Sequence, residues 1–283
     1  MKKKRSLITA VIVLVFLLLS SAGPINQLPI FRAFFADNKL TLILSGLSSD
    51  QLQESSAVDV FLEQTPLEDL RITTLEKSDL PVNILFLVDT ASTIYTNERE
   101  LPAKIIDYFL NESLLTERGY FGIMTFSDTY SMVLQPTSDR NQVMEATKGV
   151  DFNASGSYYS LAILNALYEI EKRSSGAPEK NQIILITDGS NFIAERISEE
   201  EIRKKLSAAG IALSAVVIRN SATGTYPSVD VERLSGIASA SGGIAVTTEN
   251  NGQPTEIGTR LMEPIRQSVV ISGVIPSSFK PVY

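Results

Sequence analysis

The chain has 283 residues, a formal charge of −7 and neither a histidine nor a cysteine. Absent Cys excludes disulfide stapling, lipoprotein anchoring, thiol nucleophiles and zinc–thiolate centres, and absent His removes the usual general base of Ser and Cys hydrolases. Oxygen is the strong ligand chemistry that remains, and it suits hard divalent cations.

Lys2-Lys3-Lys4-Arg5 precedes an apolar stretch from Leu7 to Leu19 and then Ser20-Ser21-Ala22. A basic flank, a short apolar core and small residues predict a signal peptide over residues 1–22. The alternative is an uncleaved signal anchor over residues 6–23, near the lower length limit for a membrane span of about 20 residues. Either way the expected product is exported, secreted or on the cell surface, with that segment as its one membrane contact. Removing residues 1–22 takes away four positive charges and no negative ones, moving the formal charge from −7 to −11. Such a surface argues against nucleic acid and anionic lipid as partners and suits divalent cations or basic proteins.

Residues 23–78 read as a spacer followed by a small β extension. The spacer is expected over 23–38, and strands over Lys39–Leu44, Val58–Leu62 and Leu70–Leu75, from their β-branched and alternating content. From Val82 the pattern changes. A buried strand, Val82–Val88, leads into a helix from about Glu98 to Leu110 with Pro102 in its first turn. Tyr120–Phe126 and Tyr130–Leu134 are separated only by Ser127-Asp128-Thr129, too short for a parallel crossover, so they form an antiparallel hairpin. A short helix covers Asp139–Thr147. In the next, Tyr158–Lys172, the apolar residues Tyr159, Ala162, Ile163, Ala166, Leu167 and Ile170 fall on one face.

Strand Gln182–Thr187 follows, ending in Asp188-Gly189. Ser198-Glu199-Glu200-Glu201 is a capping box opening a helix that stops at Gly210. Strand Ile211–Ile218, helix Val229–Ser239, strand Ile244–Thr247 and helix Thr255–Gln267 complete the alternation. Residues 269–283 read as a terminal strand, Val269–Val274, and a linker-like tail.

Alternating strands and helices predict an α/β fold: a doubly wound, mostly parallel sheet with helices on both faces. In the common order 3-2-1-4-5-6, the first and fourth strands are neighbours at the switch point where ligands bind. Asp89, behind the first strand, and Asp188, behind the fourth, then converge. Alone, Asp89 reads as a strand-end cap of backbone amides and Asp188-Gly189 as a common turn.

Asp89-Thr90-Ala91-Ser92-Thr93, Gly156-Ser157 and Thr187-Asp188-Gly189, with the phrase Met124-Thr125-Phe126-Ser127-Asp128, resemble in order and spacing the von Willebrand factor type A (VWA) domain. The resemblance covers about residues 79–268. It implies a metal-ion-dependent adhesion site whose ligands here would be Asp89, Thr93, Ser157 and Asp188. It also implies Mg²⁺, or Mn²⁺ or Ca²⁺, as the cofactor, and a partner protein offering an Asp or Glu. Ala91 stands where the family has a ligating serine, and a methyl group cannot ligate. A missing oxygen predicts weak binding with water in its place, or loss of the metal.

The leading expectation is therefore an extracytoplasmic protein-binding or adhesion module and not an enzyme. The alternative is a metal-independent scaffold or envelope-assembly domain that binds through its β extension by strand pairing. A phosphotransferase with Asp89 as nucleophile is disfavoured, because Ala91 replaces the second carboxylate and no phosphate-cradling loop accompanies it.

Overall fold

The structure, a computed structural model, describes residues 30–46, 60–62, 65–91, 99–154, 156–174, 176–189, 197–219, 228–249 and 252–279. The expected leader over 1–22 and the ligand position Thr93 lie outside these. Among the described residues no helix is long and apolar enough to cross a membrane.

The strands are β1 (Ile30–Ala36), β2 (Lys39–Ser45), β3 (Phe61–Leu62), β4 (Thr65–Pro66), β5 (Glu68–Thr74), β6 (Val82–Asp89), β7 (Gly119–Phe126), β8 (Tyr130–Thr137), β9 (Lys180–Thr187), β10 (Ala212–Arg219), β11 (Ala245–Glu249) and β12 (Val269–Val274). The helices are α1 (Glu100–Asn111), α2 (Arg140–Lys148), α3 (Tyr159–Arg173), α4 (Glu199–Ala209), α5 (Ser228–Ala240) and α6 (Pro254–Arg266).

The six-stranded sheet runs β11-β10-β9-β6-β7-β8, the expected order 3-2-1-4-5-6 read from its far edge. All its pairs are parallel except β7–β8. The mostly parallel α/β architecture is thus present. The physical cause is burial on both faces. Ile84, Phe86 and Val88 of β6 pack with α1 and α6 residues such as Phe109, Leu261 and Ile265, while Leu85 and Leu87 pack with Ala162, Ile163 and Ala166 of α3. Asp139 caps α2, accepting from the backbone N–H groups of Asn141 and Gln142 at 3.0 and 3.3 Å. Ser198 caps α4, accepting from the N–H of Glu201 at 3.1 Å, and Gly210 ends that helix at φ 62°.

One expectation is corrected. The spacer predicted over 23–38 contains β1, paired antiparallel with β2 along its whole length. The tight turn between them uses Asp37 and Asn38 at φ 49° and 57°, a left-handed backbone that Asp and Asn tolerate without glycine. These strands belong to a second, four-stranded sheet in the order β1-β2-β12-β5. Its centre holds β12, antiparallel to both neighbours, so the terminal strand is part of the extension. Leu40, Leu42, Leu44, Val269 and Ile271 form its core.

The extension abuts the end of the large sheet where the parallel strands begin. Lys180 Nζ, at the start of β9, donates to Ser45 Oγ at 2.5 Å, and Arg32 Nη2 donates to Ser174 Oγ at 2.7 Å. Gly242 approaches so closely that a Cβ there would lie 2.7 Å from Ser45 Cβ. Among the described residues, the bonds between the extension and the large sheet lie at this end.

Candidate functional site

β6 and β9 are paired in parallel register from Val82–Lys180 to Val88–Ile186. Their following residues, Asp89 and Thr187-Asp188, therefore leave the sheet side by side. Both carboxylates are withdrawn from solvent, Asp89 at 0% exposure and Asp188 at 5%.

Asp89 is held from three directions. Its Oδ2 accepts from Ser157 Oγ at 2.7 Å and from Thr187 Oγ1 at 2.7 Å, and its Oδ1 accepts from the Ala91 N–H at 3.0 Å. The donors come from the segment before α3, the end of β9 and the residues after β6. Backbone bonds tie these surroundings together: the Ala154 N–H donates to Thr90 O at 3.2 Å, and the Tyr158 N–H to Ser127 O of the β7–β8 hairpin at 3.0 Å. Gly156 turns the second loop at φ 81°. In the third loop Gly189, at φ 79°, donates its N–H to Thr187 Oγ1 at 3.1 Å.

Electrostatically the rim is acidic. Burial, then the charge of Asp188, push the Asp89 carboxyl up from its ordinary value to about 7; the bonds from Thr187, Ala91 and Ser157 pull it the other way without winning. The Coulombic influence of Asp188 shows that the two carboxylates share one neighbourhood. No basic side chain is among the groups acting on Asp89. Two neighbouring carboxylates, one of them held by the hydroxyls of Ser157 and Thr187, form a donor set that fits a hard cation. Among the described residues no three acidic side chains gather, so neutral hydroxyls would have to supply the remaining protein oxygens.

Of the four sequence-derived ligand positions, the structure brings Asp89, Ser157 and Asp188 to one rim. Thr93 lies outside the described residues. Ala91 is buried with its N–H committed to Asp89, and its methyl offers no donor. Ser127 and Asp128 form the hairpin turn, as their position between β7 and β8 indicates, with Ser127 Oγ donating to Asp128 Oδ1 at 3.0 Å. Tyr159 is core. Sequence reasoning missed Thr187, which holds Asp89 and the Gly189 turn with a single hydroxyl. The signal was a hydroxyl residue ending an otherwise apolar buried strand.

Residues 84–191 match the family model for the von Willebrand factor type A domain. No curated protein matches the chain. Among solved structures, an aerotolerance-related membrane protein from Bacteroides fragilis is 15% identical, with 65% of this chain and 98% of that chain covered at a TM-score of 0.52. A conserved hypothetical protein, BatB from Bacteroides thetaiotaomicron, is 17% identical over 65% of this chain and 98% of its own, at a TM-score of 0.49. Proximal thread matrix protein 1 from the mussel byssus is 19% identical over 69% of this chain and 48% of its own, at 0.48. The family match spans both acidic strand ends, and the strand order around them is that of the α/β sheet described above. Residues 84–191, which carry both acidic strand ends, are thus similar to a von Willebrand factor type A domain.

Proposed function

We propose that the chain is an extracytoplasmic protein-binding module whose acidic rim holds a divalent cation and captures an Asp or Glu side chain of a partner. The observation that carries this reading is the convergence of Asp89 and Asp188, with Ser157 bound to Asp89. Asp89, Ser157 and Asp188, with Thr93 from the first loop, are the residues that would hold Mg²⁺, or Mn²⁺ or Ca²⁺ in its place. When bound, the ion supplies a Lewis-acidic open position for an incoming carboxylate. The protein's own part is orientation. Thr187, Ser157 and the Ala91 N–H fix the Asp89 carboxylate before any ligand arrives, so little side-chain freedom is lost on binding. No catalytic role is assigned to these residues. An envelope setting agrees with the leader-like N-terminal sequence and with the membrane protein of similar fold.

A second reading is a metal-independent scaffold. It is favoured by the methyl of Ala91 and by the three hydrogen bonds that already satisfy Asp89. Titration of Mn²⁺ or Mg²⁺ into the purified chain separates the two. The adhesion reading expects saturable binding that is abolished by Asp188→Ala and tightened by Ala91→Ser, about 10–100-fold on the scale of ligand-shell changes. No heat and no thermal shift at millimolar metal would leave only the scaffold.

A further inference from the structure

A cavity of about 180 Å³ opens at the far end of the large sheet, under the last turn of α3. An engineered cavity of about 150 Å³ admits one benzene ring, so this space fits a single small molecule. Drug-sized ligands need pockets of about 300 Å³ or more.

Its walls divide by chemistry. Tyr120, Met132 and Pro136 supply an apolar side, and Glu169, Arg173 and Glu179 supply charge of both signs. Glu179 is pre-oriented. Its Oε2 accepts from Asn83 Nδ2 at 2.9 Å and its Oε1 from Asn181 Nδ2 at 3.2 Å, while Asn83 Nδ2 also donates to Asn181 Oδ1 at 3.0 Å. A carboxylate has about four acceptor positions, so these amides fix Glu179 without exhausting it.

Arg173 is in the opposite condition. Its Nη2 is sealed within the protein with no hydrogen-bond acceptor among the described residues, while other atoms of the side chain line the cavity. Burial works against its charge, and Glu169 offsets that only in part. Glu169 has one further cationic neighbour, the exposed Lys172 at 3.8 Å. A desolvated donor without an acceptor is costly, and a carboxylate matches the planar guanidinium best. A purely anionic ligand would meet Glu169 and Glu179, however, and a purely cationic one would leave Arg173 unanswered.

We propose that this cavity binds a free α-amino acid with an apolar side chain, its carboxylate on Arg173, its ammonium on Glu169 and Glu179, and its side chain against Tyr120, Met132 and Pro136. The acidic rim plays no part in this, since it lies at the other end of the strands.

The test is calorimetric titration of the whole chain with leucine, isoamylamine and isocaproate. Leucine should bind saturably, and each truncated analogue at least about tenfold more weakly. Arg173→Gln and Glu179→Gln should each weaken leucine binding by about tenfold or more. Should either variant fail to fold, the unaltered chain still decides: leucine should shift the side-chain amide resonances of Asn83 and Asn181. Equal binding of isoamylamine or of isocaproate would overturn the proposal. So would the absence of both heat and amide shifts with leucine at its solubility limit.

Discussion

Thr187 donates to Asp89 and accepts from the Gly189 N–H through one oxygen, so both loops depend on a group that Val would replace at equal size. Thr187→Val leaves a buried carboxylate short of one donor and a turn amide without its acceptor. A loss of about 1–3 kcal/mol is expected, read as a lower urea midpoint. Weaker Mn²⁺ binding should accompany it if Asp89 is a ligand. Lys180 poses the reverse problem. Its Nζ is buried completely, with Ser45 Oγ as its partner, and burial lowers its pKa from 10.5 to about 7. Between those values the unfolded chain binds the extra proton, so stability should rise with pH, by up to about 1.4 kcal/mol per pH unit. Below pH 7 both states are charged and the full penalty applies. Lys180→Met should flatten that rise, and comparing denaturation midpoints of the two proteins from pH 7 to 10 isolates the effect from other titrating groups.

α6 is joined to α1 by a set of close contacts. Gly258 lies against the Tyr108 ring, where a Cβ would collide. Tyr108 Oη lies 3.1 Å from Thr259 Oγ1 and donates to Glu112 Oε2 at 3.2 Å. Arg266 Nη2 closes the series on Glu112 Oε1 at 2.6 Å. The helix cannot slide along α1 without breaking several of these at once. Gly258→Ala should therefore cost about 1–3 kcal/mol by overpacking, although alanine is the better helix former. Calorimetric melting would show it, and a stability gain would mean that Tyr108 moves aside freely. Element types were legible from periodicity: the apolar face of α3, the cap at Ser198 and the two-strand hairpin all fall where the pattern puts them. β1 was not legible. Its turn uses Asp37-Asn38 and no glycine, and its partner β2 was identifiable only as a strand.

β12 couples the chain's two ends. It follows α6 after Gln267-Ser268 and lies between β2 and β5, while Val270 on its other face packs into the core of the large sheet. Leu75 N–H donates to Ser268 O at 2.7 Å at the crossing. Removing residues 269–279 should leave β2 and β5 without the strand that joins them and expose Leu40, Leu42 and Leu44. Hydrogen exchange is expected to show lost protection over 40–44 and 70–74, with β6 and β9 still protected. Retained protection in β2 would mean that the extension holds together without its central strand.

Local pattern was enough to read the strands, the helices, the caps and the two acidic strand ends, because side-chain period and turn chemistry act over a few neighbouring residues. The departure at Ala91 was equally visible, since it concerns one residue's chemistry. Pairing of distant segments is decided by the fold, although the common strand order already placed β6 beside β9 as an expectation. That β6 lies beside β9, so that Asp188 acts on Asp89, and that β12 enters a sheet built from the other end of the chain, depend on contacts between segments far apart in sequence. So does the direction of the Thr187 hydroxyl, which no spacing rule specifies. Packing of both faces of the sheet decides such matters, and it exists only once all the layers are in place.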